Sequence, residues 1–302
     1  MTNIKAWIRA ARLRTLPLSV SGIVVGTALA NFFGFEDTVV FVLALLTTIG
    51  FQVTSNFAND YGDGVKGTDN DDRIGPKRAL QSGSISRKEL KEGIIFSILI
   101  DVILVVALVY FAFGFDNMMY PILFLILGAT SIWAAIKYTI GSSAYGYRGL
   151  GDVFVFLFFG LLAVIGSMVL YTKELNSIAI LPAVAIGLLS VGVLNLNNLR
   201  DYESDKKSNK NTLIVFMGFK KGKIYHSILV IVAFFSTLVF SIVNLKGGLF
   251  FLPLIAFIPV FFHLRRVYAT DRYDQIDPEL KKLALSTFFL SVLIYISCNI
   301  FL

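Results

Sequence analysis

One cysteine and two histidines in 302 residues exclude several chemistries at once. Cys298 has no second cysteine for an intrachain disulfide, and His226 and His263 cannot complete a zinc site unless carboxylates supply most of the ligands. Both histidines flank apolar runs and read as packing or interfacial residues. Charge is also sparse: Asp, Glu, Lys and Arg make up 16% of the chain, where a soluble domain carries about 25%. What fills the chain is hydrophobic, at 56%, with 28 Phe and 12 Tyr. That balance excludes disordered, collagen-like and disulfide-scaffold classes and points to a polytopic membrane protein.

A helix crossing the hydrocarbon core needs about 20 mainly apolar residues. Nine runs qualify: 17–33, 38–56, 94–113, 118–136, 150–170, 178–197, 227–243, 249–263 and 283–301. Residues 1–16 carry Lys5, Arg9, Arg12 and Arg14 among Ile, Trp and Ala, an amphipathic lead-in to the first run rather than a signal peptide. Asp101 and Asp152 are expected near span ends, facing the interface or a polar cavity. The reading is an all-α polytopic membrane protein formed as a single domain over residues 1–302.

Nine crossings put alternate connections on alternate sides. The segments 1–16, 57–93, 137–149, 198–226 and 264–282 hold 25 of the 27 Lys and Arg residues, leaving Lys173 and Lys246 opposite. The positive-inside rule then sets the N-terminus in the cytoplasm and the C-terminus outside. The net charge of +7 is thereby a topology signal, and nucleic acid drops out as a partner. The lipid bilayer is the surrounding partner, and the location expected is a bacterial plasma (inner) membrane.

Two polar clusters close spans two and six on the basic side. In the first, Gln52, Asn56, Asp60 and Asp63 follow spacings that share one helix face, and Asn59 widens it. Gly62, Gly64 and Gly67 are expected to end the helix there, with Lys66 beside them and Asp69 returning from the loop. Beyond lie Asp71, Asp72, Arg73, Lys77 and Arg78. In the second, Asn197, Asp201 and Asp205 repeat every four residues, joined by Asn198, Arg200 and then Lys210. Carboxylates beside hydrocarbon are costly and mark function. Hard oxygen ligands of this kind suit Mg²⁺, which joins carboxylates to substrate phosphates, so the paired clusters fit a diphosphate held through magnesium.

Between the clusters, residues 137–152 concentrate aromatics, glycines and ions. Tyr145 and Tyr147 suit stacking on an aromatic substrate or orienting it by hydroxyl, though an interfacial aromatic belt has the same composition. Arg148 suits a carboxylate or phosphate, or a structural pair with Asp152. Ser86 and Glu89 form a capping box. The segment 271–282, with Asp271, Asp274, Asp277 and Glu279 among basic residues, reads as a solvated face.

Three ordered strings, Asn59-Asp60-Tyr61-Gly62-Asp63 with Gly67-Thr68-Asp69, Tyr145 to Asp152, and Asn197 to Asp205, resemble the UbiA superfamily of intramembrane prenyltransferases. The match looks closest to its menaquinone branch, which prenylates 1,4-dihydroxy-2-naphthoate, and the opening Arg12-Leu13-Arg14-Thr15-Leu16-Pro17 is similar to that branch too. The resemblance implies nine helices around a central cavity opening at the cytoplasmic side, with Mg²⁺ as cofactor. It assigns Asn56, Asp60 and Asp63 to the first magnesium–diphosphate motif and Asp201 and Asp205 to the second. Asn197, Arg200 and Lys210 become nearby substrate or diphosphate contacts, alongside Asn59, Lys66, Asp69, Arg73, Lys77, Tyr145, Arg148 and Asn198 as candidates. The 4-hydroxybenzoate branch usually keeps a further Asp four residues beyond the position of Asp63; here Gly67 stands there.

The implied activity is transfer of a polyprenyl group from polyprenyl diphosphate to 1,4-dihydroxy-2-naphthoate, with decarboxylation, toward demethylmenaquinone. Asp60, Asp152 and Tyr147 are alternative bases, as is the substrate's own hydroxyl. Another aromatic acceptor, such as 4-hydroxybenzoate, is the alternative enzyme reading. A cation-coupled transporter is the non-enzyme reading, weakened because the polar groups sit at one mouth and not at midplane.

Overall fold

In hydrocarbon every backbone polar group must be satisfied within its own segment, so long apolar runs fold as helices. The computed structural model describes residues 4–69, 74–114 and 117–300. Among the described residues nine helices are long and apolar enough to cross a membrane, in agreement with the nine runs of the sequence. Arg73, Asp71 and Asp72 lie outside the described residues.

The amphipathic lead-in forms α1 (Ile4–Ala11), separated from α2 (Leu16–Phe32) by Arg12, whose φ of 50° breaks the helix. Two ties hold α1 down on α3 (Thr38–Lys66), and Gly93 of α4 (Arg87–Phe113) leaves room for the Trp7 ring. Trp7 packs edge-on against Phe57 at 5.3 Å, and Asn56 Nδ2 donates to the Ala11 carbonyl at 2.9 Å. α4 starts at the expected capping box, with Ser86 and Glu89 each bonding the other's backbone.

α3 runs further than the sequence pattern indicates. Gly62 and Gly64 do not end it; they let neighbours approach, since a Cβ at Gly62 would lie 2.5 Å from Thr139 Oγ1 and one at Gly64 2.6 Å from Leu80 Cδ2. The helix stops at Gly67, whose φ of 71° supplies the left-handed cap. The whole face from Gln52 to Asp63 is therefore on one rigid helix.

α5 (Met119–Lys137) and α6 (Gly151–Thr172) complete this half. α6 is π-helical over Phe156–Gly166, a rare winding that often marks functional sites. Glycines bring its backbone against both neighbours. A Cβ at Gly22 would lie 2.4 Å from Ala163 Cβ, and one at Gly160 only 2.6 Å from the Gly187 Cα.

α7 (Ile180–Arg200) breaks at Asp201 and continues as α8 (Tyr202–Lys207) and α9 (Leu213–Met217). Three more crossings follow, α10 (Phe219–Asn244), α11 (Gly247–Ala269) and α12 (Asp277–Asn299). The main apolar core joins α2, α6, α7, α10, α11 and α12, while a second, smaller core sits under α1 between α3, α4 and the loop around Ala79 and Ile85.

Two expectations fail in informative ways. Asp101 reaches neither interface nor cavity; it is fully enclosed, accepting a 2.6 Å bond from Thr54 where Gly50 leaves room. The 271–282 segment is not a uniformly solvated face. Glu279 is 3% exposed and accepts from His263, Arg266 and Lys282, and His263 meets His226 at 2.9 Å. The two histidines are thus packing residues, one of the two readings the sequence offers, and they pin α10, α11 and α12 together.

Candidate active site

A cavity of about 850 Å³ runs between the two polar clusters and into the apolar interior. Asp63, Asn59, Arg78, Asn197, Arg200 and Lys210 line its charged end. Its apolar walls include Val105 and Leu108 of α4, Leu127 of α5 and Phe158, Phe159 and Leu162 of α6.

The first cluster is held from several sides. Asp60 Oδ2 accepts from the Ala79 backbone at 3.1 Å, while its Oδ1 is buried and has no hydrogen-bond partner. Asp63 Oδ1 accepts from the Tyr147 hydroxyl at 2.7 Å, and its Oδ2 lies 3.5 Å from Lys210 Nζ. Asp69, also buried, sits 3.6 Å from Arg78. Asn59 Oδ1 accepts from Thr139 at 3.3 Å. Asn56 faces the other way: its amide serves Ala11 and accepts from Gln52. Lys66 and Lys77 are exposed, with Lys66 Nζ 3.9 Å over the Tyr147 ring.

The second cluster is organised by Arg200, which is 2% exposed. Its guanidinium grips Asp201 in a two-bond fork at 2.8 and 2.7 Å. The same group donates to Asn197 at 2.8 Å and to Asp277 at 2.6 Å. Asp205 lies 3.9 Å from Lys210 Nζ, and Asn198 is buried on α7. Burial works against the Lys210 charge, but Asp63 and Asp205 outweigh it and hold its pKa above the usual lysine value.

The central loop divides its residues between roles. Tyr147 joins Asp63 and accepts from Thr68 Oγ1 at 2.6 Å, because its own hydrogen is committed to the carboxylate. Tyr145 stacks on Phe154 with ring centroids 3.9 Å apart and donates to the Ala134 carbonyl, and it lines the cavity. Arg148 is exposed and contacts the Ser142 carbonyl at 3.5 Å; it makes no described contact with Asp152. Asp152 instead accepts from Tyr225 of α10 at 3.2 Å and does not line the cavity.

Some residues at the site carry a contact that the motif reading does not assign. Asp277 reaches Arg200 across 77 residues, and nothing local marks it. Thr68 and Tyr138 lie inside the polar strings without an assigned role, and of the two only Tyr138 lines the cavity. Arg12 and Thr15 are signalled by the basic lead-in, and both line the cavity.

Carboxylate oxygens are the donor type that magnesium takes, and the buried Asp60 Oδ1 without a partner is a donor ready to be used. Among the described residues no three His, Cys, Asp or Glu gather closely enough to cage an ion.

A family model described as the UbiA prenyltransferase family matches residues 19–293. The chain is 43% identical over 294 residues to a 1,4-dihydroxy-2-naphthoate octaprenyltransferase of Haemophilus influenzae, covering 96% of this chain and 94% of that one. It is 46% identical over 257 residues to the Escherichia coli enzyme of the same name, covering 83% and 82%. In structure it resembles a UbiA homolog from Archaeoglobus fulgidus bound to GPP and Mg²⁺, with a TM-score of 0.66 at 16% identity, covering 96% of this chain and 99% of that one.

Proposed function

The chain belongs to the UbiA prenyltransferase family, and from that premise we propose that it works as one membrane domain transferring a polyprenyl group from polyprenyl diphosphate to 1,4-dihydroxy-2-naphthoate. The observation that carries this reading is the meeting of two carboxylate clusters, from α3 and from α7–α8, at the head of a long apolar cavity. The 43% identical relative bears the name of that activity over nearly its whole length.

The diphosphate lies at the charged end and the prenyl tail in the apolar cavity. Asp60, Asp63, Asp201 and Asp205 would hold magnesium, which when bound supplies positive charge that neutralises the diphosphate. Arg78, Arg200 and Lys210, all lining the same end, add positive charge where the leaving group gains negative charge. As the allylic C–O bond breaks, the ring carbon bearing the acceptor's carboxylate forms the new C–C bond. The carboxylate leaves as CO₂ and its electron pair restores the aromatic ring. Diphosphate departs, and the product is demethylmenaquinol, the reduced form of demethylmenaquinone.

No side-chain base is required at the ring carbon, because CO₂ leaves in place of a proton. Tyr147 is a donor to Asp63, and burial followed by the Asp63 charge pushes its pKa up, so it stays protonated. Tyr145, Phe154 and Phe158 give the cavity neck an aromatic wall suited to a flat acceptor and an allylic cation.

The cavity mouth faces the cytoplasm and the N-terminus lies on that side, in keeping with 25 of 27 basic residues. Purified protein with Mg²⁺, radiolabelled polyprenyl diphosphate and a panel of aromatic acids tests the activity. Prenylated product and CO₂ are expected with 1,4-dihydroxy-2-naphthoate; product from 4-hydroxybenzoate alone would overturn the acceptor. A cysteine-accessibility scan at Lys88 and Lys246 tests the topology, with labelling of Lys246→Cys from the cytoplasmic side overturning it.

A further inference from the structure

The two carboxylate clusters are bridged by a side chain. Lys210 Nζ stands 3.5 Å from Asp63 Oδ2 and 3.9 Å from Asp205 Oδ1, with its side chain only 10% exposed. The Tyr147 ring faces it at 5.4 Å. Its backbone is fixed separately: Lys210 N–H donates to the Asp205 carbonyl at 2.9 Å, and the preceding Asn209 has a φ of 53°. The ammonium therefore sits at the end of a flexible four-carbon stem whose base is anchored.

An ammonium between two buried carboxylates relieves their repulsion without the dehydration that Mg²⁺ resists. A diphosphate carries more negative charge than either carboxylate and accepts hydrogen bonds from the same ammonium. We infer that Lys210 is a built-in cation substitute, holding the space between Asp63 and Asp205 against bare divalent ions until an arriving diphosphate draws the ammonium away. Metal and diphosphate then enter together, and neither cluster is left as open repelling carboxylates between turnovers. This inference rests on the proposed prenyl-diphosphate chemistry for its ligand, and on the Asp63–Lys210–Asp205 geometry for its mechanism.

The test uses full-length protein in lipid nanodiscs, stripped with EDTA and titrated with Mn²⁺ alone, free Mn²⁺ being read by electron paramagnetic resonance. Lys210→Met should bind Mn²⁺ at least about tenfold more tightly than the wild type, the size expected when one competing charge is removed. Its metal-free melting temperature should fall by several degrees and recover with Mn²⁺. Lys210→Arg, which keeps the charge, should bind Mn²⁺ weakly. Lys210→Met combined with Asp63→Asn should regain metal-free stability. Equal Mn²⁺ affinities in wild type and Lys210→Met overturn the inference, as does an unchanged metal-free melting temperature. Should Lys210→Met fold only with metal, the double variant must survive EDTA where the single does not; loss of both also overturns it. Failure of the proposed activity would show separately, as absence of diphosphate release by the wild type, and leaves the Mn²⁺ comparison readable.

Discussion

Tyr147 donates its phenolic hydrogen to Asp63 Oδ1 at 2.7 Å, across 84 residues of sequence. Thr68 donates to the same phenol in turn, so the first carboxylate cluster, its following loop and the central loop are locked in one chain of hydrogen bonds. The sequence offers Tyr147 as a substrate-stacking or acid–base residue; its bond to Asp63 suits it to aiming that carboxylate.

Tyr147→Phe should therefore weaken the use of metal more than the binding of the prenyl tail. A hydrogen bond to a charged group contributes about 1.5–3 kcal/mol, so kcat/KM should drop by roughly ten- to a hundredfold. The Mg²⁺ concentration for half-maximal rate should rise, while KM for a long-chain donor stays near its wild-type value. A loss confined to donor KM would assign Tyr147 to the tail instead.

The carboxylates themselves should respond more steeply. Asp60→Asn keeps the volume and the Ala79 contact but removes the charge behind the partnerless Oδ1. Turnover should fall by at least about a hundredfold, the scale of losing one preorganised electrostatic group. Removing metal with EDTA should silence the wild type to the same floor, and magnesium should restore the wild type without restoring the variant. Diphosphate release measures both.

The parts of this architecture visible in the sequence are those written within one helix. Apolar run length fixed the nine crossings, and spacing by threes and fours put Asn56, Asp60 and Asp63 on one face. What escaped depends on which helices meet. Gly62 looked like a terminator, yet it is a close-packing site against Thr139. Asn56 shares the carboxylates' face, but its amide is taken by α1. Asp277 and Glu279 sit in a charged run indistinguishable from a solvated surface, and only the return of α12 beside α7 and α11 gives them Arg200 and His263.

The glycine contacts of α6 predict a stability effect with no chemistry in it. A Cβ at Gly160 would meet the Gly187 Cα at 2.6 Å and the Ala183 carbonyl at 2.7 Å, both backbone atoms that cannot swing aside. Gly160→Val should cost about 1–3 kcal/mol, the usual range for overpacking, and lower the melting temperature in detergent. Gly248→Val, where nothing lies within 4 Å, is the control and should melt as the wild type does.

The last prediction concerns Arg200, whose one guanidinium serves three partners. It holds Asp201 by two bonds and reaches Asn197 and Asp277 with the remaining donors. A lysine carries the charge but not the planar fork, so Arg200→Lys cannot satisfy all three at once. Because Asp201 is the partner gripped by the fork, its aim should suffer most, and turnover should fall by roughly a hundredfold, as for a lost electrostatic group. Asp277 meets Arg200 with a side chain that is 38% exposed. Asp277→Asn should accordingly lower turnover by less than about tenfold, since an exposed partner is screened. If Arg200 transmits the Asp277 effect, the double variant should be no slower than Arg200→Lys alone. Fully multiplied losses would mean that Asp277 acts on the cavity by a route of its own, through the turn that opens α12.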